Sequence, residues 1–168
     1  MQKALLITMG DPTGVGPEII VQAAGQGAFA DLSRPVVVAG DLAVMQRAAG
    51  TCGLTFAWQQ GSQIPLASGE LVVSGRALPL RITSRLDLAK QQYGQPDVSS
   101  GGAMADYITW ACDRCLANEA AGMVTAPINK QALQLAGVNF PGHTELLAAR
   151  CATGQVVMML AGERLRVC

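Results

Sequence analysis

Apolar residues fall along this chain in short dense runs, separated by longer stretches in which polar and apolar positions mix. Runs at residues 4–9, 35–39, 70–74, 122–125, 156–160 and 164–167 are rich in Val, Ile, Leu and Met, which predicts strands. The intervening stretches predict helices over residues 17–24, 41–52 and 101–120, with shorter ones near Lys130 and Glu145. Alternation of short strands with longer helices is the pattern of βαβ units, so the fold class expected is α/β, a mainly parallel sheet with flanking helices. Residues 54–95 break the rhythm, because Gly61, Pro65, Gly69, Gly75, Pro79 and Gly94 punctuate them. They hold either an antiparallel excursion or a long surface loop. At the other end, Leu165-Arg166-Val167-Cys168 reads as a strand with no helix after it, and a truncated two-domain protein is expected.

Composition narrows the function classes. With 168 residues, half of them hydrophobic, the chain can bury a sizeable core. Twelve basic residues balance twelve acidic ones, so the electrostatic footprint of a nucleic-acid or anionic-membrane binder is missing and a small-molecule partner is favoured. The first apolar run is too short for a signal-peptide core or a membrane span, which points to the cytoplasm. Five cysteines in such a chain read as reduced thiols. Cys112 and Cys115 form a C-x-x-C inside a helical stretch, where packing is favoured over redox or zinc chemistry because no second Cys pair or His cluster completes a site.

Four segments carry candidate chemistry. The first, Ile7-Thr8-Met9-Gly10-Asp11-Pro12-Thr13-Gly14-Val15-Gly16-Pro17-Glu18, runs from a strand through a Gly-rich turn into a helix. Pro17 suits the first helical position, Glu18 complements the helix dipole, and such a helix start can hold an anion. The segment lacks the Lys-Ser/Thr of a phosphate loop and the third small residue of a dinucleotide fingerprint, so a structural turn and a ligand-facing loop remain equally open. In the second, Val124-Thr125-Ala126-Pro127-Ile128-Asn129-Lys130, a strand end opens into a polar turn, the place where ligands gather in open α/β sheets. Asn129 as a helix cap and Lys130 as a solvated charge is the simpler reading there. A phosphate-facing pair is the functional one.

The third, Pro141-Gly142-His143-Thr144-Glu145, holds the single histidine of the chain at a predicted helix start. A lone loop histidine is ordinarily a surface residue, Thr144 can serve as a cap, and one imidazole cannot make a three-histidine metal site. The fourth, Val98-Ser99-Ser100-Gly101-Gly102, is expected to precede and cap the longest helix.

Taken together, ITMGDPTGVGPE, VTAPINK and AGVNFPGHTELLA, in this order and spacing, resemble the 4-hydroxythreonine-4-phosphate dehydrogenase family. The resemblance implies an isocitrate/isopropylmalate dehydrogenase-like fold, two α/β domains flanking a cleft in a homodimer, with residues 1–130 in the first domain and 131–168 opening the second. It also implies oxidation of a small phosphorylated hydroxy acid by NAD(P), then decarboxylation to 3-amino-2-oxopropyl phosphate in pyridoxal phosphate biosynthesis. A divalent metal (Zn, Mg or Co) would assist, with its ligands beyond Cys168. Residue by residue, the resemblance makes His143 and Thr144 substrate contacts and places Asp11, Asn129 and Lys130 near the cleft. It assigns no catalytic group and no metal ligand within the chain. Related dehydrogenases acting on threonate or erythronate 4-phosphate, or on a dihydrodiol carboxylate, share these segments, and a non-catalytic binding module is the reading from another class. On the favoured reading the chain alone is expected to be inactive.

Overall fold

The computed structural model describes residues 2–168, arranged as a six-stranded mixed sheet with helices packed against it and a small hairpin near the end of the chain. In chain order the elements are β1 (Leu5–Thr8), α1 (Gly16–Gly25), β2 (Val36–Asp41), α2 (Leu42–Thr51), β3 (Phe56–Gln60), β4 (Gly69–Val73) and β5 (Arg76–Ser84). There follow α3 (Val98–Leu116), β6 (Gly122–Thr125), α4 (Lys130–Leu135), α5 (His143–Arg150), β7 (Leu160–Ala161) and β8 (Arg166–Val167). The sheet order is β3-β4-β5-β2-β1-β6. Pairing is parallel between β5, β2, β1 and β6, with Leu6 opposite both Val37 and Met123.

Successive residues of a strand face opposite sides of the sheet. Leu6 and Val37 accordingly pack with Ala111 of α3, while Val38 joins Ile20, Val21, Val44, Met45 and Ala48 of α1 and α2. Each large aliphatic side chain buried in this way contributes about 1.5–3 kcal/mol. β6 lies at one edge of the sheet, and its Val124 is exposed.

The irregular stretch resolves into the antiparallel excursion: β3 pairs with β4, and β4 with β5, before β5 returns parallel to β2. Two features conceal it in the sequence. β3 is a solvent-facing edge strand whose residues are mostly exposed, so it carries no apolar run. β5 contains Pro79, ordinarily a strand breaker, but pairing with β2 begins only at Leu80, so the missing N–H interrupts no ladder on that side.

Two expectations are corrected. The longest helix begins at Val98, so the Ser-Ser-Gly-Gly segment is its first turn and not its approach. Asp97 is the cap, accepting from Ser100 N at 2.8 Å while the Ser100 hydroxyl accepts from Asp97 N at 2.8 Å. The strand expected over residues 156–160 shrinks to Leu160–Ala161 against Arg166–Val167, and Val156 to Met159 lie exposed outside it. An apolar run makes a strand only where a partner edge and a core face are available, and here neither adjoins it.

α4 sits against α3 through Met104, Ala132 and Leu133. The approach is close enough that a Cβ on Gly101 would fall 2.0 Å from the Ala132 carbonyl oxygen. Glycine at 101 therefore sets where α4 begins, and with it Asn129 and Lys130. Among the described residues no helix is long and apolar enough to cross a membrane.

Candidate functional site at the strand ends

Parallel strands point their carboxyl ends the same way, and Thr8, Asp41, Ser84 and Thr125 close β1, β2, β5 and β6 on one side of the sheet. The connection after β1 leads to its neighbour on one side and β6 flanks it on the other, so the loops following β1 and β6 diverge around a switch point, where open α/β sheets take ligands.

The turn after β1 is a braced structure. Gly10 has φ +75°, and a Cβ there would lie 2.3 Å from the Pro127 carbonyl oxygen. Asp11 N donates to that same oxygen at 2.9 Å, which joins this turn to the loop after β6. The Asp11 side chain is buried, and its Oδ1 accepts from both Thr13 N and Thr13 Oγ1 at 2.8 Å, an Asx turn closed on itself. From the other side, Arg47 donates to the carbonyl oxygens of Pro12, at 2.8 Å, and Gln91, with its guanidinium 4.5 Å from the centre of the Tyr93 ring. Gly94 N donates to Thr13 O at 2.9 Å. The clamp built by Arg47, Gln91 and Tyr93 went unseen in the sequence, because these residues come from α2 and the irregular stretch and meet only in three dimensions.

The loop after β6 and the start of α5 form the second turn. Asn129 caps α4, its Oδ1 accepting from Ala132 N at 3.0 Å, so the cap expected from the sequence is present and the amide Nδ2 is left unused by it. Lys130, the first residue of α4, is exposed and reaches toward α5: a Cβ on Gly142 would lie 3.4 Å from Lys130 Cε, 3.9 Å from its Nζ and 3.6 Å from Glu145 Oε2. Lys130 and the Gly-His-Thr-Glu turn, 12 positions apart at Gly142, thus come together.

α5 starts at His143 with Gly142 as its cap residue and no side-chain cap, so Thr144 is not the cap considered above but a half-buried second residue of the helix. His143 is half-buried as well. Burial lowers its pKa from the usual histidine value, which keeps the ring neutral at neutral pH. Its Nε2 is buried with no hydrogen-bond partner. A buried nitrogen left unpaired costs about 1–3 kcal/mol, which a ligand bonding to it recovers. The turn therefore offers a neutral imidazole, a threonine hydroxyl, a flexible ammonium and the N–H groups of a helix start, a set suited to an anionic, hydroxylated small molecule.

The structure thus gathers Lys130, His143 and Thr144 into one turn. Asn129 adjoins them with its oxygen engaged, and Asp11 lies in the other turn, linked through Pro127. A separate cleft of about 310 Å³ opens at the ends of β2 and β5, lined by Asp41, Gln46, Trp58, Ser84, Arg85 and Leu86. Its carboxylate is fully engaged: Asp41 accepts from Ala43 N, Val44 N, Ser84 Oγ and Leu86 N, so it holds loops together and leaves little for a ligand. Among the described residues no group of three or more His, Cys, Asp or Glu side chains is placed to hold a metal ion, and the side chains present do not by themselves fit a divalent metal.

An open, mostly parallel α/β sheet with candidate ligand-facing groups beyond its strand ends defines the class of fold: an α/β domain with a topological switch point between β1 and β6. More particularly, residues 31–168 match the family described as "Pyridoxal phosphate biosynthetic protein PdxA", and the chain belongs to that family. The Gly-rich segment over 7–18 lies before the matched residues but within the reach of the relatives. A protein named 4-hydroxythreonine-4-phosphate dehydrogenase from Trichlorobacter lovleyi is 45% identical over 163 residues, covering 97% of this chain and 47% of its own length. One of the same name from Citrobacter koseri is 35% identical, over 98% of this chain. The crystal structure of a 4-hydroxythreonine-4-phosphate dehydrogenase from Klebsiella pneumoniae superposes with TM-score 0.81 at 34% identity, covering 99% of this chain and 49% of that one. A terephthalate 1,2-cis-dihydrodiol dehydrogenase from Burkholderia xenovorans, at 22% identity and TM-score 0.61, shares the fold. The chain spans about half the length of the curated relatives it matches.

Proposed function

We propose that this chain supplies the substrate-holding part of an NAD(P)-dependent dehydrogenase that acts on 4-hydroxythreonine 4-phosphate in pyridoxal phosphate biosynthesis. The observation that carries the reading is His143: a neutral ring with an unpartnered, buried Nε2 at the start of α5, with Lys130 reaching over the preceding Gly142. In this reading the substrate's anionic groups are met by Lys130 and the N–H groups of the first turn of α5, while His143 and Thr144 hydrogen-bond its oxygens and fix its orientation. NAD(P)+, when bound, would supply the acceptor for the C3 hydride as the C3 hydroxyl loses its proton, and the resulting β-keto acid would lose carbon dioxide to leave 3-amino-2-oxopropyl phosphate. Asp11 and Asn129 act as braces that hold the two turns in place.

The intact protein in this reading has the two-domain isocitrate/isopropylmalate dehydrogenase-like architecture, with residues 131–168 opening the second domain, and works as a cytoplasmic homodimer. Since the side chains here do not fit a divalent metal, its ligands come from the portion of the relatives that this chain does not match. The chain alone is accordingly inactive. The test compares NADH formation by the 168-residue chain and by an intact protein carrying it, with 4-hydroxythreonine 4-phosphate, threonate and erythronate 4-phosphates and a dihydrodiol carboxylate as substrates. Turnover by the intact protein with the first, and none by the chain alone, supports the reading. A preference for another substrate reassigns it, and intact-protein inactivity with all of them leaves the binding-module alternative.

A further inference from the structure

Three of the five cysteines converge where α3 meets α5, and two of them are nearly in contact: Cys112 Sγ and Cys151 Sγ are 3.9 Å apart, joining positions 39 residues apart in sequence. We propose that Cys112 and Cys151 form a reversible, redox-responsive dithiol that locks α5 onto α3 when oxidised. Nothing in the site described above uses either thiol.

An ion pair between the neighbours of the two cysteines holds them in register. Arg150, next to Cys151, donates from Nε and an Nη to the two carboxylate oxygens of Asp113, next to Cys112, at 2.6 Å each, a bidentate pair that fixes both position and orientation. α5 itself buries only Leu146 and packs on α3, so this ion pair and the two thiols form much of what ties the helix to the body. A disulfide needs its sulfurs at about 2.05 Å, so closure asks for an approach of under 2 Å, within reach of side-chain rotation and a small shift of a lightly held helix. Cys115, three residues along α3 from Cys112, shares the helix backbone with it and cannot close onto it without unwinding a turn.

The two thiols differ in a way that assigns their roles. Cys151 is exposed, whereas Cys112 is buried, and burial, reinforced by the hydrogen bond to Cys151, pushes its pKa up to about 11. The exposed Cys151 thiolate attacks a small disulfide such as glutathione disulfide, releasing one glutathione thiolate and leaving a mixed disulfide. Cys112 then gives up its proton to solvent, and its sulfur attacks Cys151 Sγ and expels the second glutathione. The protein dithiol is oxidised by two electrons, and one glutathione disulfide is reduced to two thiols. The loop so closed contains β6, α4 and the whole turn with Lys130, His143 and Thr144, so oxidation would restrict the segment that the proposed function depends on, although the bond itself stands independently of that function.

The experiment uses the 168-residue chain, reduced, folded and then equilibrated with glutathione disulfide. The expected result is the loss of two of the five thiols with the mass of two hydrogens, a Cys112–Cys151 peptide in an unreduced digest, and recovery with dithiothreitol. Amide exchange in α5 should slow at least severalfold on oxidation. Cys115→Ser should leave all of this intact, and Cys151→Ser should abolish the crosslink without unfolding, since its side chain is exposed. A crosslink confined to Cys115, one seen only in denaturant, links only between chains, or no change in α5 exchange would each overturn the proposal.

Discussion

The two turns beyond the strand ends are built from similar residues and do opposite things. The Gly-rich turn after β1 turns its central polar groups inward: Asp11 closes on Thr13, the Asp11 N–H and the Gly10 position are fitted to Pro127, and Arg47 ties Pro12 down, while Thr8 Oγ1 and Glu18 Oε2 at the two ends of the segment are buried without partners. The Gly-His-Thr turn leaves its groups open, with His143 Nε2 unpartnered and Lys130 reaching over Gly142 without an ion-pair partner among the described residues. The engagement of Asp11 against the openness of His143 and Lys130 thus distinguishes a brace from a candidate ligand-facing turn where composition does not. The braced turn, joined to the loop after β6 through Pro127, helps set where the open one sits.

Mutations at the first turn should therefore cost stability, and mutations at the second should cost binding. The largest effect is expected from Gly10→Ala, which must relieve both the positive φ and the collision with Pro127; about 2–5 kcal/mol of stability should be lost. Gly102→Ala, at an open position of α3, should instead gain about 0.5–1 kcal/mol. Urea unfolding of both variants measures this, and equal effects would mean that the first turn is not the rigid frame inferred from its contacts. Next comes His143→Ala. In the intact enzyme substrate affinity should fall about ten- to a hundredfold, the worth of one hydrogen bond to a charged ligand, with metal content retained. A loss of metal with unchanged affinity would move His143 from recognition to ligation.

Asp11→Ala is the complementary case. Removing the carboxylate leaves the Thr13 N–H and hydroxyl without their acceptor, so about 1–2 kcal/mol of stability should go. A mutant that folds normally but binds substrate poorly would show that Asp11 faces the ligand after all and would dissolve the contrast between the turns.

Three of the four parallel strands and most helices could be read from the apolar pattern, because β1, β2 and β6 lie in or beside the core and their apolar runs reflect that position. β3 and the Pro79-bearing β5 could not, since their pairing follows from an edge position and a register that no local pattern encodes. At the site, His143, Thr144 and Lys130 were legible as motif residues, but their proximity was not. It depends on Gly101 admitting α4 to α3 and on Gly142 leaving room for a lysine, contacts between segments distant in the chain. The Cys112–Cys151 pair shows the same gap more sharply: the sequence displays a C-x-x-C, and the structure pairs its first member with a cysteine outside it.

The smallest expected effect is also the most direct probe of the open turn. His143 is the single histidine, so it alone among the side chains titrates between about pH 5 and 7 in its ordinary range. Burial lowers its pKa in the folded chain, so as pH falls the unfolded chain takes up the proton first. Stability from this group is therefore complete above the unfolded value of about 6.5 and declines as pH falls through that value toward the folded one. Asp113 does not confuse the window: the hydrogen bond from Arg150 holds its carboxyl below the usual range, and its contribution fades only at lower pH. The imidazole proton signals of the folded chain should titrate with a midpoint below 6.5, and the urea midpoint should drop modestly between pH 7 and 5 in the native chain but not in His143→Gln. An anionic substrate bound at the ring stabilises its charged form and should move the midpoint upward. A midpoint already at or above 6.5 without ligand would mean that the ring is solvated and charged like any surface histidine, and the difference between the two turns would then rest on Lys130 alone.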